Sequence, residues 1–321
     1  MIISRNKIKV QLFLLYLLIP SLCFGQVQQY TPKTAFAVET YAFLKGRSAA
    51  LKSIARQFPA LKSEITTATK STAVLFARAE HNIEQFLSNE LSEESFNALK
   101  NHLNAILAEQ TESPIEKEQH ARDFLEKISS KSSTLNDTLQ SKGIISFAYH
   151  DVPHQEITDG HLKIFTTKDH PKAAETDLEI PIPVSWQAQE AEMAQTVQQF
   201  TSFHGKGIEK ILVVIYDLPA DQNFELDKKS VSDIIPPQTE LIRTEAIKID
   251  GRPAVMIEVE ETIPHEKVKV RMLQFMFTQN RKLYCIQGSV GPVESSKNLD
   301  LHIKKYEPLF RMIASRTQIE K

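Results

Sequence analysis

Apolar runs with the character of β-strands mark the second half of the chain. The clearest covers residues 211–216, six consecutive β-branched, leucine or aromatic residues that end at Asp217-Leu218-Pro219. The run is too short for a helix with a broad apolar stripe and is typical of a strand buried on both faces. We therefore expect a central strand here.

Two hairpins are predicted downstream. Residues 245–249 and 254–259 flank Asp250-Gly251, and this dipeptide favours a type I′ turn because glycine accepts a positive φ. Residues 268–277 and 283–287 form the second pair. The apolar face of its first strand switches near Met272, which predicts either a β-bulge there or burial of both faces.

A helix is predicted to close the chain. Its apolar residues recur every three or four positions, the spacing of an amphipathic helix that lies on the sheet: Leu299, Ile303, Tyr306, Phe310 and Ile313. Pro308 interrupts this pattern. We therefore expect a kink or a break after Tyr306, because proline cannot continue the helical hydrogen bonds.

The first half of the chain has a helical pattern. Four helices are predicted: one at about 33–56, a long one with its apolar face between Leu61 and Phe86, one capped by Ser92, and one that begins at a capping box formed by Ser113-Pro114-Ile115-Glu116. Four helices are enough for an antiparallel bundle or a helical extension, and the spacing is also compatible with a coiled coil that binds a partner.

Short strands are predicted where the two halves meet, at residues 144–147, 162–165 and 178–186; the last is expected to be an edge strand that carries Trp186 into the core. The expected fold class is α+β, with a helical N-terminal segment followed by an antiparallel sheet flanked by helices. The expected domains are a signal peptide (1–25), a helical bundle or extension (26–142) and an α+β domain (143–321).

The N-terminus has the features of a secretory signal peptide. Basic residues precede the apolar core at 12–19, and a less apolar tail ends at Gly25, after which cleavage is expected. A retained membrane anchor and a lipid anchor at Cys23 are the alternatives, although the apolar core is shorter than a spanning helix needs. The expected location is periplasmic or extracellular, with no stable transmembrane span in the mature chain.

Cleavage would leave 35 basic and 40 acidic residues, a net charge of −5. This net negative charge gives no indication of a basic surface that would bind nucleic acid. Cys285 would be the only cysteine, which excludes an intramolecular disulfide, and its place in a strand indicates a small core residue more than a nucleophile.

Catalytic signatures such as a zinc-binding helix, a nucleophile elbow, a phosphate loop or a dinucleotide fingerprint are absent from the sequence. Four histidines fall close together with several carboxylates and could bind zinc, copper or manganese: His150, His154, His161 and His170. Their spacing matches no closed zinc site, so surface histidines are the simpler interpretation.

A second group of charged residues lies in the predicted hairpins. Glu258, Glu260 and Glu261 could form a paired-acid site, but alternation along the strand favours a solvated face that Glu258 and Glu260 share. Lys267, Lys269 and Arg271 on the neighbouring strand could pair with them across the ladder.

The segment Glu179-Ile180-Pro181-Ile182-Pro183-Val184-Ser185-Trp186 resembles the entry strand of the PsbP-like superfamily. The order of the following strands, the two hairpins and the closing helix is similar as well, over about 162–316. The resemblance implies an antiparallel sheet between helical layers, in a superfamily whose members mostly bind or assemble. It brings no active-site residues.

The sequence therefore predicts an exported, non-catalytic binding or assembly protein of the bacterial envelope, with a protein partner or envelope component. A metal-binding or metal-delivery protein that uses residues 150–170 is the first alternative, and a hydrolase with an unrecognised site is the second. No catalytic residue, metal ligand or cofactor is assigned, and the binding residues stay open.

Overall fold

The computed structural model describes residues 30–129, 138–173, 176–191, 193–218, 226, 235–236 and 238–319. The predicted signal peptide and Cys23 lie outside these residues. These residues form two compact units, one within 30–71 and 84–129 and the other within 72–83 and 138–319. No described helix is both long enough and apolar enough to cross a membrane.

The first unit is helical. Its helices are α1 (Pro32–Gln57), α2 (Lys62–Lys70), α4 (Glu93–Glu112) and α5 (Glu118–Ser129), and it shares α3 (Ala73–Glu90) with the second unit. Thr31 caps α1 by accepting a hydrogen bond from the Thr34 amide. The core joins α1, α2 and α5 through five buried residues, Ile54, Leu61, Ala68, Ala121 and Leu125.

Two predictions about these helices are wrong. The helix expected between Leu61 and Phe86 is interrupted at Ser71-Thr72. The cause lies in a threonine-rich stretch, since the hydroxyl groups of Thr66, Thr67 and Thr69 donate to carbonyls one turn earlier and weaken the helix. Ser113 does not begin a capping box; it ends α4, and α5 starts at Glu118.

The second unit opens with two helices, α6 (Leu139–Ala148) and α7 (His154–Thr158). Residues 144–147, predicted as a strand, therefore lie in a helix. A short apolar run is ambiguous between the two structures, and here Thr138 caps the helix by accepting a hydrogen bond from the Ser141 amide. Asn82 of α3 donates a hydrogen bond of 2.8 Å to the carbonyl of Phe147 in α6.

The sheets of this unit are antiparallel. Their strands are β1 (Leu162–Thr166), β2 (Leu178–Pro183), β3 (Gln187–Gln189), β4 (Thr196–Thr201), β5 (Glu209–Asp217), β6 (Thr239–Ile249), β7 (Arg252–Ile263), β8 (Val268–Gln279), β9 (Lys282–Glu294) and β10 (Gln318–Ile319). The large sheet has the order β3-β4-β5-β9-β8-β7-β6, and β1-β2-β10 form a small sheet. Strand β5 is interior, as predicted.

Strand β2 lies in the middle of its sheet, so the predicted edge position is wrong. The prolines are tolerated because β10 pairs only with Leu178 and Glu179, whereas Pro181 and Pro183 pair with β1 alone. Their missing amide hydrogens therefore cost no bond on a second side. Trp186 is buried as predicted, with its ring against those of Tyr306 and Phe310.

Both predicted hairpins are confirmed. Asp250 and Gly251 have φ of 48° and 76°, and the second turn places Asn280 and Arg281 at 49° and 58°. The switch of apolar face in β8 has both of the causes considered: the register shifts between Lys269 and Arg271, and both faces of the large sheet are buried.

The closing helix α8 (Asp300–Arg316) packs on one face of the large sheet. It continues through Pro308, so of the kink or break predicted after Tyr306 the break is wrong. On the other face, residues such as Leu212, Ile257 and Cys285 pack with Leu218, Leu226 and Ile235. The α+β fold class, with its helical N-terminal segment and antiparallel sheet, is confirmed.

Candidate functional site

A groove lies between α8, the end of β6 and the floor of the large sheet. We call it the helix–strand groove; it is an open surface groove with a volume of about 410 Å³. Phe275 of β8 and Ala314 of α8 are both 1% exposed and form the apolar floor of the groove. The full lining is Ile247, Lys248, Phe275, Pro308, Arg311, Met312, Ala314, Ser315 and Arg316.

Arg311 is held in the groove wall by two carboxylates. Its Nε donates to Glu307 at 2.7 Å and its Nη2 to Glu245 at 2.5 Å. Partial burial would raise the pKa of Glu307, but hydrogen bonds from Arg243 and Arg311 outweigh that effect and lower it. The ion pairs of Arg311 with Glu245 and of Arg243 with Glu307 connect α8 to the exposed strand β6.

The same ion-pair network continues across the sheet to Glu258. This side chain is 5% exposed and accepts hydrogen bonds from Arg243 and Arg271. The prediction that Glu258 is solvated is therefore wrong. Glu258 is buried because it lies on the face that α8 covers. The predicted cross-ladder pairs are confirmed for Lys269 and Arg271, which contact Glu260 at 3.0 and 3.1 Å.

A second polar region, which we call the buried acid cluster, contains Glu156, Ser185, Ser202, Glu209, His302 and Tyr306. Glu156 of α7 is 3% exposed, and its carboxylate accepts hydrogen bonds from the Ser185 amide at 2.8 Å and hydroxyl at 2.7 Å. Burial is the main cause that raises the pKa of Glu156 to about 7, although the Ser185 hydrogen bonds and Lys142 oppose it.

Glu209 is the other acid of this cluster and is fully buried. The Ser202 hydroxyl donates to one of its oxygens, and His302 Nε2 lies 2.6 Å from the other. Both groups therefore contact the acid instead of each other, which differs from the serine-to-histidine-to-acid order of a hydrolase triad. Burial and Glu209 raise the pKa of Tyr306 well above its ordinary value.

The turn after β4 brings Ser202 to this cluster. Phe203 and His204 have φ of 49° and 52°, in the left-handed region that non-glycine residues rarely occupy. A Cβ at Gly207 would overlap the Ser202 hydroxyl, so only glycine fits there. The closely spaced Gly205 and Gly207 are typical of a turn, and they are the sequence signal that could have pointed to Ser202.

The cavity within the cluster has a volume of about 10 Å³, which is close to the smallest space that holds one water molecule. Ser146, Tyr149, Glu156, Ser185 and Tyr306 are among its lining residues. The polar groups of the cluster therefore form hydrogen bonds with one another, and the cavity is too small for a substrate.

The four clustered histidines do not converge. His150 stacks near Phe147 and binds Asp151 at 2.8 Å, and His161 packs on Tyr149. His154 lies in α7, and His170 accepts a hydrogen bond from the Lys172 amide. Over the described part of the chain, no three His, Cys, Asp or Glu side chains are placed to hold a metal ion.

Cys285 lies in the apolar cluster on the sheet face opposite α8, and burial raises the pKa of its thiol to about 12. His265 is exposed beside Glu266. Neither residue is among those that line the groove or form the buried acid cluster. Sequence reasoning missed the groove itself because its walls come from three separate elements.

Comparison with known proteins gives weak structural likenesses only. No protein-family model and no curated protein matches the chain. LpqN of Mycobacterium tuberculosis, described as involved in cell envelope biogenesis, is 13% identical, with 51% of this chain and 95% of that chain covered and a TM-score of 0.34. PA94 of Pseudomonas aeruginosa, of unknown function, is 15% identical over 50% and 99% of the two chains, with a TM-score of 0.28. Likenesses this weak carry no argument about family or function.

Proposed function

We propose that this chain is an exported, non-catalytic binding or assembly protein that holds part of a protein partner or envelope component in the helix–strand groove. The observation that carries the proposal is the groove itself, an open space of about 410 Å³ with an apolar floor. Ile247 and Met312 line the groove and are only partly buried, so a ligand there can cover further apolar surface.

The state of the buried polar groups favours binding over catalysis. A general acid or base must come within about 2.6–3.2 Å of its substrate. Glu156 and Glu209 are 3% and 0% exposed, and their carboxylate oxygens accept hydrogen bonds from neighbouring residues. A hydrolase would have to open this cluster before either acid could act.

Export and membership of the PsbP-like superfamily belong to the same proposal. The basic and apolar pattern of residues 1–25 supports export. The antiparallel sheet, the closing helix and the buried Trp186 support the resemblance over about 162–316. A binding or assembly role is what that resemblance implies.

Site-specific photocrosslinking tests the proposal. A photoreactive amino acid replaces Ser315, an exposed residue of the groove, and in a matched variant it replaces Lys304, an exposed residue earlier on the same helix. Both proteins are irradiated with the envelope fraction of the native cell. We expect a discrete adduct from position 315 only; equal labelling at both positions, or none at either, contradicts the proposal.

A further inference from the structure

Strand β6 is an edge of the large sheet. It pairs with β7, and no other described strand lies on its far side. The pairing is regular from Arg243 to Ile249, and the register shifts between Leu241 and Arg243. A short, regular row of backbone groups therefore faces away from the sheet.

The turn geometry identifies which residues supply these groups. Ile249 and Arg252 close the two-residue turn as a hydrogen-bonded pair. Since hydrogen-bonded and non-hydrogen-bonded pairs alternate along an antiparallel ladder, Thr244, Ala246 and Lys248 direct their N–H and C=O groups outward. Pro253, which has no N–H, lies opposite Lys248 and agrees with this assignment.

The helix–strand groove adjoins this edge. Ile247 contributes to it from β6, and Met312 and Ser315 contribute from α8. Side chains alternate along a strand, so Lys248 faces away from α8 and bounds the groove with its backbone. A strand added beside β6 would direct every second side chain towards the groove.

Charge at the end of the groove favours an acidic ligand. Arg316 is exposed, and no ion pair or hydrogen bond to its side chain is found among the residues that the structure describes. Arg311, by contrast, is already neutralised by Glu307 and Glu245. Among the described residues that line the groove, the Arg316 guanidinium is therefore the one placed to pair with a carboxylate on the ligand.

We propose that β6 is the docking edge for an extended segment of a partner protein, which adds as a strand beside Thr244, Ala246 and Lys248. Its apolar side chains enter the groove, and an acidic residue pairs with Arg316. This mode takes affinity from main-chain hydrogen bonds and specificity from side-chain pockets. The inference rests on the proposed function of the groove.

A second copy of this chain is the weaker occupant. Charged side chains and bulges on an edge strand disfavour pairing between copies. Strand β6 carries Glu240, Arg243, Glu245 and Lys248, and its register shift ends the regular edge.

The test uses the chain from Gln26 and a displayed library of random linear peptides. Selected peptides are synthesised, and their affinities are measured by fluorescence anisotropy for the wild type, Ala246→Pro and Ala246→Thr. Proline removes an outward donor without removing a bond to β7, whereas threonine keeps it. We expect at least about tenfold weaker binding to Ala246→Pro, unchanged binding to Ala246→Thr, and slower amide exchange at Thr244, Ala246 and Lys248 in the complex.

Arg316→Gln gives an independent readout. The selected peptides should contain an acidic residue, bind this variant more weakly and lose this difference at high salt. Failure to select peptides, equal binding to both Ala246 variants, or dimerisation through β6 would overturn the inference. If Ala246→Pro still gives the adduct from position 315, strand addition fails while the proposed function stands.

Discussion

Ionisation of Glu156 should make the folded chain sensitive to pH. Burial raises its pKa to about 7 from the ordinary 4.5, so the folded state favours the neutral acid. The resulting stability is fully present below about pH 4.5 and is lost as the pH rises through 7. At about 1.4 kcal/mol per pKa unit, the loss is of the order of 3 kcal/mol.

Glu156→Gln should remove this dependence, because an amide stays neutral. We expect the free energy of unfolding of the variant, relative to the wild type, to increase by about 2–3 kcal/mol between pH 5 and pH 8. Urea unfolding at both pH values measures it. Glu240→Gln, at an exposed carboxylate, is the control, and parallel pH profiles for the wild type and Glu156→Gln would refute the prediction.

At this scale the sequence indicated the region but not the residues that matter. The segment 150–170 stood out for its histidines, yet its consequential side chain is Glu156, bound to Ser185. Glu209 and His302 are 93 residues apart in the chain. No local pattern encodes such a pair, because only the packing of β5 against α8 brings the two side chains together.

At the scale of elements, the packing of α8 on β9 depends on Gly288. A Cβ at this position would overlap the ring of Phe310. We expect Gly288→Ala to lower the free energy of unfolding by about 1–3 kcal/mol, since overpacking forces side chains from their preferred positions. Chemical denaturation measures the change.

Phe310→Leu in the same chain distinguishes a local overlap from a general effect of alanine. The smaller side chain should relieve the clash, so the double variant should lose less than the two single variants together, with a coupling energy of about 1 kcal/mol. Additive losses would show that Gly288 does not contact α8 in this way.

The elements that could be predicted are those whose structure depends on residues close together in the sequence. The two hairpins followed from turn residues that tolerate positive φ, and β5 followed from a run of six apolar residues. Residues 144–147 are as apolar as a buried strand, yet they lie in a helix that Thr138 caps six residues earlier. The middle position of β2 depended on β10, a two-residue strand at residues 318–319 with no pattern of its own.

At the scale of the whole molecule, the domain boundary stays a prediction. The sequence places it before residue 143, whereas the second compact unit also takes in residues 72–83. Composition could not indicate this, because α3 has the same helical character as its neighbours. The difference rests on contacts such as that of Asn82 with α6.

Asn82 makes the boundary testable in the intact chain. Its side chain is 6% exposed and donates to the Phe147 carbonyl. Trp186, the only tryptophan, is buried in the second unit, so its fluorescence follows the unfolding of that unit. Asn82→Ala would remove this donor, while the His150 amide still donates to the same carbonyl at 3.2 Å; we therefore expect a loss of about 0.5–1.5 kcal/mol in the fluorescence-detected transition. Asn101→Ala, at an exposed position of α4, should leave that transition unchanged. If Asn82→Ala leaves it unchanged too, the Asn82 hydrogen bond does not join α3 to the second unit, and the prediction fails.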